Sequence, residues 1–236
     1  SFTGMGSGTA AGSVAITAGT VNFGGDVTLA ASKALTVTNS GVWTIPASTI
    51  IAPAGITQDG ASTVTVSGNA TLATTDSAVS FDTVVNGGGD LTVTAGTGAV
   101  SFTGVGTGTA AGSLAVTSGT LNFGGAVTLD TAKTLTVTNS DVWTIGAVTI
   151  TAPGGITQNG ASTTTLSGAA TLAATDANVS FARAIDGGND LTVTAGTGTV
   201  TFIGAIGSST ALASLDVTAG SIVQSSTVDK IGRAHV

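Results

Sequence analysis

Short runs of alternating apolar and polar residues recur along the whole chain. Leu91-Thr92-Val93-Thr94 is typical, with its two apolar side chains on one side and its two threonines on the other. The same grammar appears in Val14-Ala15-Ile16-Thr17, Leu35-Thr36-Val37-Thr38, Val64-Thr65-Val66-Ser67 and Leu114-Ala115-Val116-Thr117. Each tetrad is closed by Gly, Ala, Asn or Ser, residues that suit turns or tight corners. A period of two over such short runs predicts β-strands, and no segment keeps a helical period. The chain is expected to be all-β.

These strands sit inside a much longer repeat. Residues 1–100 align on residues 101–200 without a gap, and roughly 70 of the 100 positions are identical. A partial third copy runs over 201–229 and needs one inserted residue near Ile206 to stay in register. The least similar block, Asp82–Gly89 against Ala182–Asn189, is the expected loop. Within each copy the tetrads lie about 20–30 residues apart, the spacing of repeats that wind into solenoids. The expected architecture is therefore a continuous β-solenoid over 1–229, a parallel β-helix of about 10–12 coils and roughly 45–55 Å long. A period near 100 residues also fits tandem immunoglobulin-like β-sandwich domains, which remain the alternative.

Composition favours the solenoid. Only 4% of residues are aromatic and 7% charged, while Gly alone supplies 36 of the 236 residues. Too few bulky groups are present for a broad globular core, whereas a narrow coil interior needs one or two inward side chains per strand. The net charge of −7 rests on twelve acidic residues, every one an aspartate. Aspartate suits corners because its short carboxylate reaches nearby backbone amides, so Asp59, Asp76, Asp90 and Asp186 are expected to bond their own turns. Five basic residues and an acidic balance exclude nucleic acid as a natural partner. Cysteine is absent, and no apolar run is long enough for a transmembrane segment.

Candidate chemistry is sparse. His235 is the sole histidine, and neither Glu nor Tyr occurs, so no clustered acid and base is visible and no enzyme is expected. No catalytic or cofactor-binding residue is singled out. The nearest thing to a metal site is Asp186-Gly187-Gly188-Asn189-Asp190, where Asp186, Asn189 and Asp190 are weak calcium candidates. Its counterpart Asn86-Gly87-Gly88-Gly89-Asp90 has one carboxylate fewer, and a glycine-rich corner explains both. Trp43 and Trp143 share a strand face with Ile45 and Ile145 and are placed in the core, as are Phe23, Phe81, Phe102, Phe123, Phe181 and Phe202. Thr-x-Thr pairs such as Thr36/Thr38 would form an ice-binding array only on coils of constant length, and the tetrad spacings vary by about ten residues. The sequons at Asn69 and Asn178 are chance expectations in a chain rich in Thr and Ser.

Residues 230–236, Lys-Ile-Gly-Arg-Ala-His-Val, match nothing upstream and read as a sequencing-adapter translation artefact on a metagenomic fragment. Setting them aside removes His235. The phrases Leu91–Gly104, Leu191–Gly204 and Ala211–Ile222 resemble the repeat regions of filamentous-haemagglutinin-type and autotransporter-like bacterial exoproteins. That resemblance implies a right-handed parallel β-helix, an extracellular or outer-membrane-associated location, and a shaft role in adhesion to surface glycans or proteins of a host or neighbouring cell. The runner-up function is the non-catalytic part of a β-helix carbohydrate-active enzyme, or an immunoglobulin-like repeat adhesin. An uncapped piece of solenoid is expected to self-associate end to end through its open strand edges.

Overall fold

The computed structural model describes residues 1–228 and the backbone of a strand at Ile231–His235. The boundary drawn after residue 229 lies outside the described residues. Those residues form strands and no helix, and the strands pair in parallel from one turn to the next over about ten turns. The molecule is a β-solenoid. Tandem immunoglobulin-like sandwiches are excluded, because their sheets require antiparallel neighbours, whereas here each strand lies beside the strand one turn later.

Three faces carry the turns. Face A stacks Trp43, Val64, Val85, Val105, Val127, Ile150, Leu172 and Val193. Face B stacks Val14, Leu35, Ile56, Val79, Val100, Leu121, Trp143, Thr164 and Ile185. Face C stacks Val27, Ile50, Leu72, Val93, Val116, Val137, Gln158, Phe181 and Phe202. Successive neighbours on a face are 19 to 24 residues apart, from Leu212–Ile231 to Val193–Val217. Coil length is thus far more regular than the tetrad spacing, which varied because successive tetrads lie on different faces. With parallel strands about 4.8 Å apart, ten turns make a rod of about 48 Å.

The block expected to be a loop behaves differently in the two copies. In the first, Val79–Asn86 is one unbroken strand that rounds the corner from face B to face A, with a register shift between Phe81 and Val84. Thr83 holds it there by donating from both its backbone N and its Oγ1 to Gln58 Oε1, at 3.2 and 3.0 Å. In the second copy Arg183 replaces that threonine, and the strand breaks into Val179–Phe181 and Ile185–Asp186. Only the backbone N of Ala182 reaches Gln158 Oε1 there, at 3.0 Å. Gln58 and Gln158 also donate to Asn39 and Asn139 Oδ1, at 2.9 and 2.8 Å, so each copy buries a satisfied amide pair at one corner.

All seven Phe and both Trp form a single column along the axis. Trp43 and Trp143 are fully buried, as are the six Phe expected inside; Phe2, at the first turn, is 38% exposed. The geometry repeats with the sequence. Phe23 meets Trp43 edge-on at 84° and Phe123 meets Trp143 at 80°, while Phe81–Phe102 and Phe181–Phe202 stack within 9°. Between these pairs the indoles hand the column from one face to the next, Trp43 on A to Phe81 on B and Trp143 on B to Phe181 on C, at 6.1 and 6.2 Å.

Replacing Trp143 by Ala removes the largest core side chain and one handover, and is expected to cost about 3–5 kcal/mol in chemical denaturation. Thr164 offers the opposite effect. Its Oγ1 is buried without a hydrogen-bond partner, and the matching position of the first copy is Val64. Thr164→Val is expected to raise stability by about 1 kcal/mol, read from the same denaturation midpoint.

Candidate functional site

Polar chemistry gathers at the corners, where the backbone leaves one face and its amides lose their ladder partners. Most of the acidic side chains there serve a neighbouring coil instead of their own turn. Asp76 Oδ1 accepts from the backbone N of Thr97 and Asp176 Oδ1 from that of Thr197, each at 2.8 Å and one full coil ahead. Asp26 accepts from Thr49 N at 2.7 Å, Asn69 from Asp90 N at 3.1 Å, and Asn178 from Thr199 N at 2.9 Å. The expectation of local aspartate turns is thereby corrected for most corners; Asp130, bonded to Thr131 N at 2.7 Å, is a local case. A carboxylate on a one-carbon stem is long enough to span the step between stacked coils.

Two of these clamps sit on left-handed residues. Asp76 and Asp176 have φ of 52° and 53°, a conformation that aspartate tolerates better than most residues. Directly beyond, Gly96 and Gly196 adopt φ of 58° and 57°, and a Cβ on either would collide with the carboxylate oxygen below. Hydrogen bonds from Thr97 and Thr197 hold the Asp76 and Asp176 carboxyls below their ordinary value.

The calcium candidates prove to be members of the same system. Asp186 is buried, and its Oδ1 accepts from Ser209 N and Thr210 N at 2.8 and 3.2 Å. Asn86 does the same in the first copy, toward Gly108 N and Thr109 N at 3.0 and 3.2 Å, so the additional carboxylate replaces an amide in one structural role. Asn189 Nδ2 donates backward to Leu166 O at 2.9 Å, and Asp190 Oδ1 accepts from Ser214 Oγ at 2.6 Å. Asp186 and Asp190 reach forward to separate groups on the next coil and Asn189 reaches back to the previous one, so each is engaged elsewhere. Among the described residues no group of three His, Cys, Asp or Glu could hold a metal ion.

Asp90 makes a clamp that includes an ion pair, and it lies at the seam between copies. Its Oδ1 accepts from Ser113 N one coil on, at 2.7 Å, and from Lys133 Nζ two coils on, at 2.8 Å. The Lys133 hydrogen bond, followed by that of Ser113, pulls the Asp90 carboxyl below its ordinary value. Beside the lysine, Thr131, Ala132, Pro153, Gly154, Thr175 and Ala177 line a shallow groove of about 440 Å³ across three stacked corners. The first copy repeats it at Ala31, Ser32, Pro53, Ala54, Thr75 and Ser77, with about 280 Å³.

Outside the corners, the faces present hydroxyl columns. On face C the outward residues from Thr49 onward are Thr71, Thr92, Ala115, Thr136, Thr157, Ser180 and Thr201. Their coils are near constant in length, so the sequence-based objection to a flat threonine array does not hold. Nothing in the linear pattern revealed these columns, because their members lie 21 to 23 residues apart.

No family model matches the chain, and searches of curated proteins and of solved structures found no match. Among the described residues no helix is long and apolar enough to cross a membrane.

Acid stability follows from the clamps. Asp76, Asp90 and Asp176 have carboxyls depressed in the folded state, so their stabilisation is complete above the ordinary value of 3.8 and fades as pH falls through the lower folded values. The melting temperature is expected to hold from about pH 6 to about pH 4 and to decline below. Asp90→Asn keeps an acceptor for Ser113 but loses the ion pair, and should lower the plateau while flattening the acid limb.

Proposed function

We propose that the chain is a length of shaft from a repetitive secreted or cell-surface bacterial adhesin, resembling the filamentous-haemagglutinin type. The observation that carries this reading is the unbroken coil-on-coil ladder with one aromatic column through its axis. Backbone bonds join each turn to the next, and corner clamps and ring contacts add to them along the rod, which is what a stiff spacer requires. The polar side chains at the corners are spent on holding coils together, as Asp186, Asp190 and Asp90 illustrate. Binding along such a shaft to glycans or proteins of a neighbouring cell would be weak at each point and gain strength from repetition.

The outward hydroxyl column of face C favours a second reading, ordering of water at an ice surface. Thermal hysteresis abolished by Thr136→Lys would support it; freezing behaviour equal to that of an inert protein would remove it.

The shaft reading is tested by length and reach. Chains carrying one, two or three copies of residues 101–200 should lengthen by about 22 Å per copy in small-angle scattering. Placed between a cell-surface anchor and a binding tip, they should raise the tip in the same steps and increase cell retention under flow. Retention that ignores shaft length would overturn the proposal.

A further inference from the structure

The 100-residue period is not a whole number of turns. Starting from Val14 on face B, four turns pass Leu35, Ile56 and Val79 and return to face B at Val100. The counterpart of Val14 is Leu114, and the chain must still cross face A at Val105 before reaching it on face C. One super-repeat therefore spans four and two-thirds turns. The displacement holds throughout: Trp43 on A corresponds to Trp143 on B, Leu35 on B to Leu135 on C, and Ile50 on C to Ile150 on A.

We infer that the rod is a threefold screw display, in which successive super-repeats present the same surface on three faces in turn. The corner grooves show it directly. In the first copy the groove lies where the chain passes from face C to face B, between Thr49–Ile51 and Ile56–Gln58. In the second it lies where the chain passes from A to C, between Thr149–Thr151 and Gly155–Gln158. A third equivalent copy would carry it at the remaining corner, and a fourth would return to the first. Each step rises about 22 Å and turns by a third of a revolution, so the same side recurs only after about 67 Å.

This inference rests on the shaft reading and sharpens it. Any feature carried once per super-repeat faces all directions around the rod. A planar partner lying along the shaft meets one such feature in three, whereas partners surrounding the rod meet all of them. The arrangement suits a shaft embedded among many separate binding partners and gives little avidity on one flat surface. The interior carries the rotation through ring contacts between faces, Trp43 to Phe81 at 6.1 Å and Trp143 to Phe181 at 6.2 Å. These are no longer than the 6.5 Å of Phe123 to Trp143 within face B.

The test uses pairs of spin labels on the full chain. Thr36 and Thr144 point outward from face B five turns apart, while Thr36 and Thr136 are equivalent positions on faces B and C. Labels at Thr36→Cys and Thr144→Cys should lie about 24 Å apart along the axis. The pair Thr36→Cys and Thr136→Cys should be farther apart despite its shorter axial step, because it spans two faces. The same order is expected for Thr57/Thr165 and Thr57/Thr157, which guards against one poorly folding variant. If the equivalent pairs are the closer ones, the screw display is overturned and the shaft still stands. If the five-turn pairs are far from their expected distance, the solenoid shaft itself fails.

Discussion

Parallel stacking of one turn on the next obliges neighbouring coils to match in length, since an extra residue in a strand would swing every following side chain to the opposite surface. That constraint governs this molecule. Coils stay within 19 to 24 residues, and the variation is taken up where the chain turns between faces. Once length is fixed, inward positions stack into columns, and a narrow interior fills with few bulky residues. The low aromatic content is then sufficient, because each ring touches the ring above and below instead of packing in three dimensions.

The corners pose the complementary problem. Amides that leave the ladder need acceptors, and a burial-prone corner without them would be costly. Side chains of Asp and Asn supply these acceptors from the coil below, at Asp26, Asn69, Asp76, Asn86, Asp90, Asp176, Asn178 and Asp186. The same residues that looked like candidate ligands are thus part of the stacking machinery.

The mismatch between the sequence period and the coil period gives the rod its rotational character. A super-repeat of a whole number of turns would have lined up equivalent grooves on one side. Two-thirds of a turn distributes them, and the aromatic column follows by moving from face A through B to C. Repetition in sequence and repetition in space are therefore different things in this chain.

Much of the fold was legible in the residues alone. Alternation in Leu91–Thr94 and its relatives placed the strands, and the shared face of Trp43 and Ile45 placed the tryptophan inside, because strand geometry links neighbouring positions locally. The solenoid, its approximate coil number and a narrow interior filled by a few inward side chains per strand also followed from pattern and composition. Other features depended on contacts between residues a full coil apart, which local pattern does not report. Val79–Asn86 became a continuous strand because Gln58, 25 residues earlier, holds Thr83. Asp186 and Asp190 became clamps because Ser209, Thr210 and Ser214 lie above them. The sequence by itself determined which residues face inward; only the tertiary structure decided which turn, and which face, each of them meets.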